Sequence, residues 1–261
     1  THGDYSTGAL LTMYGGVADL AFNTVVTEGE RSYGLALRGS AGVGLLRANS
    51  VTTSGEGAHG VALTGEGALR MTAEMGTVTT SGDGANAVTT VVNGLGGNSE
   101  AVTVKAGTLT TSGVSATGAY LYGQDITVDI GAITTTGDTS TGAFLNNYGG
   151  DDEVTTLRGK IGAIELSGDG ATGLIVQHTG RFDLQVGSVH TRGEDSQGIN
   201  IFAAGSSEAG GKLTVGSVLT EGNDSNGVGL YTEYGGYDVA VQSIETRGEY
   251  STALSLTGGE T

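Results

Sequence analysis

The chain has 261 residues, 50 of them glycine, no proline, cysteine or tryptophan, and a formal net charge of −17. Without cysteine there are no disulfides and no thiolate metal sites. So acidic a chain lacks the clustered Lys and Arg that hold nucleic acid or an anionic membrane, and no run approaches the ~18 apolar residues of a membrane-spanning helix.

The glycines are periodic. A turn of the kind "TTTGDTSTGAFL" (134–145) recurs ten times, its first glycine falling at Gly3, Gly29, Gly55, Gly82, Gly113, Gly137, Gly168, Gly193, Gly222 and Gly248, at intervals of 24 to 31 residues. Periods of 20–50 residues mark a solenoid. Around each turn three short apolar segments alternate with polar residues at period two, the signature of strands with one face buried. The first precedes the turn, as at Val51-Thr52-Thr53, Val78-Thr79-Thr80 and Ile133-Thr134-Thr135. The second follows it, as at Leu35-Ala36-Leu37, Val61-Ala62-Leu63 and Ile199-Asn200-Ile201. The third closes the coil, as at 126–130, 182–186 and 239–241. No segment carries a helical period. The absence of proline suits strands that pair on both sides.

These patterns predict an all-β single domain over 1–261. They describe a single-stranded parallel β-helix with three strands per coil and nine to ten coils, a rod about 45 Å long at ~4.8 Å per coil. Thr1 and Thr261 both read as cuts through a repeat. Five residues after each first glycine stands a small residue, glycine in eight coils and Ala87 and Ala253 in two. Such a residue is expected to supply a positive φ or a close approach of neighbouring backbones.

An acid follows the first glycine in eight coils: Asp4, Glu30, Glu56, Asp83, Asp138, Asp169, Glu194 and Glu249. Stacked carboxylates suggest either a solvated edge or a ladder of weak Ca²⁺ sites. The segments "GGDD" (149–152) and "GGYD" (235–238) lack the nine-residue period of calcium-binding repeats. No other cofactor or metal site is expected. On the third strand, Arg47, Glu74, Lys105, Asp129 and Lys160 alternate in sign from coil to coil, as do Arg158, Asp183, Lys212 and Asp238. Such columns lock register, because a one-coil slip sets like charge against like.

Catalytic constellations are thin. Gly-x-x-Ser-x-Gly is one residue too long for a nucleophile elbow, and no phosphate-binding loop is present. His2, His59, His178 and His190 show no ligand spacing and read as plain surface residues. Outer acids interleaved with bases are poorly placed for general acid–base work, so the expected protein is not an enzyme; the alternative is a polysaccharide-acting β-helix enzyme. Outward threonines at Thr52, Thr79, Thr110 and Thr134 suggest an ice-binding face, but their column breaks to Glu165, His190, Leu219 and Glu245.

Long coils carry their extra residues between strands two and three, at 93–100, 146–153 and 203–211, and these insertions are expected to leave from one edge. On the outer side of the second strand, Tyr120, Phe144 and Ile175 stack in successive coils, with Tyr148 just beyond. This apolar ridge is the candidate binding site; the bland reading is that the neighbouring loop covers it.

The phrases "GSVHTRGEDSQGINIF" (187–202), "GSVLTEGNDSNGVGLY" (216–231) and "GAITTTGDTSTGAFLN" (131–146) resemble the passenger repeats of bacterial autotransporters over nearly the whole chain. The resemblance implies a right-handed β-helix on the surface of a Gram-negative bacterium. It would be tethered to the outer membrane by a part of the protein outside this segment, and would be a piece of a longer passenger. It implies adhesion, self-association or a spacer role. The partner would be a receptor or glycan on a host or neighbouring cell, or a second copy; neither nucleic acid nor direct insertion into a membrane is expected.

Overall fold

The computed structural model describes residues 1–92, 101–147, 155–178, 180–203, 210–232 and 236–258. In chain order the strands are β1 (Thr7–Glu28), β2 (Tyr33–Ser54), β3 (Val61–Gly65), β4 (Leu69–Ser81), β5 (Val88–Val92), β6 (Ala101–Thr111), β7 (Thr117–Gly123), β8 (Asp125–Thr135) and β9 (Thr141–Asn147). They continue with β10 (Thr156–Leu166), β11 (Thr172–His178), β12 (Arg181–Arg192), β13 (Gln197–Ala203), β14 (Gly210–Glu221), β15 (Asn226–Thr232), β16 (Gly236–Arg247) and β17 (Leu254–Gly258). All described pairings are parallel, and each strand pairs with its counterpart one coil away. The molecule is a β-solenoid of about nine turns.

Two ladders run along it. The long strands stack as β2–β4–β6–β8–β10–β12–β14–β16, and the short strands as β3–β5–β7–β9–β11–β13–β15–β17. In β1 and β2 both segments form one 22-residue strand.

The third strand of one coil and the first strand of the next, expected as separate elements, are continuous. In β8 the alternation of buried and exposed residues slips by one at Gly131 and Ala132, then resumes at Ile133. The chain therefore bends without leaving its ladder. Glycine makes this possible: a Cβ at Gly107, Gly131, Gly162, Gly187 or Gly216 would run into the carbonyl of the counterpart glycine in the preceding coil.

The core is a column of stacked side chains, one layer per coil. Val25, Val51, Val78, Leu109, Ile133, Ile164, Val189 and Val218 form one continuous file in register. Volumes compensate between layers, as close packing requires. Phe182 and Tyr237 stack at 6.2 Å although Gly211 lies between them in register, and a Cβ on Gly211 would enter the Phe182 ring.

The corner works by close approach. At the first glycine, a Cβ on Gly82, Gly113, Gly137 or Gly168 would occupy the carbonyl oxygen of the glycine one coil below. The closing glycine also owes its identity to contact: a Cβ on Gly142 would meet Ile164 and the Gly173 carbonyl. Positive φ lies elsewhere than at the closing residue. Two residues after the first glycine, all ten corners adopt the left-handed conformation, at φ between 51° and 64°. Only Gly57, Gly84 and Gly170 among these are glycine; the others are Tyr5, Arg31, Ser115, Thr139, Asp195, Asp224 and Tyr250.

The insertions 93–100 and most of 146–153 and 203–211 lie outside the described residues. Their flanking strand ends lie on one edge. Val91 pairs with Tyr122, Tyr122 with Asn146, Asn146 with Gln177 and Gln177 with Phe202 along the short ladder, and the insertions follow the ends of β5, β9 and β13.

Candidate functional site

The four aspartates among the corner acids are hydrogen-bond acceptors between coils, a role the sequence reading missed. Asp4 accepts the backbone N–H of Glu30 at 2.9 Å, Asp83 that of Val114 at 2.9 Å, and Asp169 that of Glu194 at 3.0 Å. Asn223 does the same for Glu249 at 3.0 Å, so the job needs an oxygen rather than a charge. The serine of Gly-x-x-Ser-x-Gly is buried. Ser140, Ser196 and Ser225 donate to the first-glycine carbonyls of Gly113, Gly168 and Gly193 at 3.1, 3.2 and 3.0 Å. These hydroxyls pin each corner to the one beneath. Among the described residues, no group of three or more His, Cys, Asp or Glu is placed to hold a metal ion.

Both charge columns run in the expected register. In the first, Lys105 pairs with Glu74 at 2.9 Å and Lys160 with Asp129 at 3.5 Å, while Arg47 turns away from Glu74 to Asp19. Hydrogen bonding to Glu74 holds the Lys105 ammonium above its ordinary pKa. In the second column the signs alternate in register, but no ion pair joins Arg158, Asp183 and Lys212 among the described residues.

Two histidines depart from the plain-surface reading. His59 is half-buried beside Tyr33, and its Nδ1 accepts the N–H of Asn86 at 2.9 Å. Burial pushes its pKa down. His190 sits in an ion network where its Nε2 meets Glu221 at 3.0 Å and its Nδ1 faces an Arg192 nitrogen at 2.8 Å. Glu221 is held below its ordinary pKa, first by the hydrogen bond to His190 and then by Arg247. His2 is exposed and beside Glu28; the side chain of His178 lies outside the described residues.

The predicted ridge comes together on the short-strand face. Tyr120 pairs in register with Phe144, and Phe144 with Ile175. The Tyr120 and Phe144 rings stack at 4.9 Å with planes 6° apart. All three side chains are half-buried, as members of a flat layer are, rather than protruding. Tyr148 lies outside the described residues. The face extends further than the sequence suggested: one position along, Phe202 pairs with Tyr231, and these are 39% and 38% exposed. Amides fill the gaps, with Asn146 donating to Gln177 at 3.1 Å and Asn200 to Gln197 at 2.9 Å.

Charge sets this face apart. The chain holds 39 charged residues, the sum of 11 basic and 28 acidic. None falls in any of the eight short strands β3, β5, β7, β9, β11, β13, β15 and β17. That pattern was legible in the sequence once the second strand of each coil was located. Arg38 of β2 stands in register with Thr64 at one end of this ladder. Around Tyr120, Phe144 and Ile175 the strands give a surface of aromatic, hydroxyl and amide groups that a partner can cover without stripping water from a charge.

Comparisons with protein-family models, with curated proteins and with solved structures give no match.

Proposed function

We propose that this β-solenoid is a non-catalytic scaffold of the cell surface, acting in adhesion, self-association or spacing, and that its contact surface is the short-strand face around Tyr120, Phe144 and Ile175. The observation that carries the reading is the absence of charge from the eight short strands of that face on a chain of net charge −17, with Arg38 of β2 the one charged side chain in register with them among the described residues. Interface cores are depleted in charged residues and enriched in aromatics, and Phe144 and Tyr231 supply anchors of that kind. The passenger-like repeats described above support a place on a bacterial surface. Ion pairing of Glu74 and Asp129 with lysines favours scaffold over catalysis, since it engages the outer acids that an acid–base mechanism would need.

The double change Phe144→Ser and Ile175→Ser tests this on the intact protein displayed on cells. Cell–cell aggregation or receptor binding is expected to fall while the melting temperature holds. A large loss of stability without a specific binding defect would mean that the ridge is packing alone.

A further inference from the structure

We propose that the long-strand face carries a second site, a groove around Arg158, Arg181 and Lys212 that holds a carboxylated or sulfated saccharide. This site is independent of the short-strand face and goes beyond the adhesive reading by naming a ligand class.

Five of the eleven basic residues stand in ion pairs: Arg47, Lys105, Lys160, Arg192 and Arg247. Six form none among the described residues, and three of these six, Arg158, Arg181 and Lys212, stand together. The three are neighbours. Asp183 pairs in register with Arg158 on one side and Lys212 on the other, and Arg181 stands two residues before Asp183 on the same strand. A two-residue step is about 6.6 Å, so all three cations reach the space above Asp183. Together these four groups carry a net charge of +2 on a molecule of opposite overall sign.

The space is built. Arg181 is followed along its register position by Gly210 and Gly236, so no side chain stands over it in the next two coils. The resulting groove has a volume of about 460 Å³, with Leu157 and Phe182 in its floor. A second groove of about 410 Å³ shares Arg158 and Asp183 with the first and continues past Thr127, Gln185 and Lys160.

Each feature narrows the ligand. Cations without an acidic partner among the described residues, Arg158 held only by its Nε donating to the Thr127 hydroxyl at 3.3 Å, call for an anionic group bound through charge-assisted hydrogen bonds. Asp183 between them and Asp238 beyond Lys212 exclude a ligand with charge at every step, which disfavours nucleic acid. The length of the joined grooves, with the hydroxyl of Thr127 and the amide of Gln185 along them, fits an extended hydroxylated chain with sparse charge. An acidic saccharide has that chemistry.

Apart from Asp183, the acids Asp151, Asp152, Glu153 and Glu208 of the preceding segments lie outside the described residues, so binding is read directly on the intact chain. Titration calorimetry would compare a sulfated oligosaccharide, a polyuronate, a neutral glucan and a short DNA single strand. The expected result is binding of one or both acidic saccharides, weakened by added salt, and little binding of the glucan. Arg181→Ala with Lys212→Ala should weaken it by about tenfold or more with the fold retained. Asp183→Asn, which removes the repelling acid, should tighten it. Phe144→Ser with Ile175→Ser should leave it unchanged, which keeps this outcome separate from the fate of the short-strand face. No binding of either acidic saccharide would overturn the proposal. So would equal affinity for DNA, or affinity indifferent to Arg181, Lys212 and Asp183.

Discussion

The carboxylate of Asp138 accepts the backbone N–H of Asp169, its counterpart one coil on, at 3.1 Å. The aspartates of the acidic column, read from sequence as a solvated edge or a calcium ladder, are thus part of the hydrogen bonding that holds coil to coil. Replacing Asp138 by alanine leaves that N–H without its acceptor and is expected to cost about 0.5–1 kcal/mol. Asp138→Asn should cost much less, because Asn223 already does the same work. Thermal melts of the two variants check this; equal losses would mean that charge, not the acceptor oxygen, matters.

Thr139 holds φ at 52°, a conformation that β-branched residues rarely adopt. Its counterpart one coil on, Gly170, holds φ at 64° without a side chain to strain. Thr139→Gly should therefore stabilise the protein, by about 0.5–1 kcal/mol after the greater freedom of glycine in the unfolded chain is subtracted. The variant also loses an exposed hydroxyl contact with Ser115. A melting temperature below that of the parent would show that this contact outweighs the backbone strain.

His59 links stability to pH. In the unfolded chain it titrates near 6.5, and in the folded protein burial holds it lower. As pH falls below about 6.5 the unfolded chain takes up the proton first, so this contribution is complete above that pH and is lost as pH drops toward the folded value. Glu221, also lowered, adds stability that is present above its ordinary carboxylate range and is lost only at more acid pH. His59→Asn keeps an acceptor for the Asn86 N–H, as Asn86 itself serves Thr117. The variant should flatten the stability profile between pH 7 and 5 and leave the more acid limb in place. Denaturant melts across that range would test it, and an unchanged slope would remove His59 from the account.

Asp183 lies in register between Arg158 and Lys212. Asp183→Lys puts three cations in a row and should lower stability by about 1 kcal/mol or less, with the loss shrinking in high salt. An unchanged melting temperature at low salt would argue that the column has no part in fixing register.

The periodic glycines, the period-two alternation of segments such as Ile126–Ile130 and the alternating signs of Arg47, Glu74, Lys105, Asp129 and Lys160 were enough to specify the parallel solenoid and its register. They suffice because a one-residue slip would turn every core side chain outward. The ridge of Tyr120, Phe144 and Ile175 was legible for the same reason, since its members share a register position. What only the tertiary structure decided depends on backbone shape and on contacts between coils some 25 to 30 residues apart. Gly131 bends a continuous strand because a neighbouring carbonyl fills its Cβ position, which its own sequence neighbourhood does not reveal. Thr139 and Tyr250 hold a left-handed backbone that their identities argue against, shared by every corner of the stack. Arg158, Arg181 and Lys212 gather around one groove because Gly210 and Gly236 stack over Arg181, a juxtaposition that exists only once the chain is coiled.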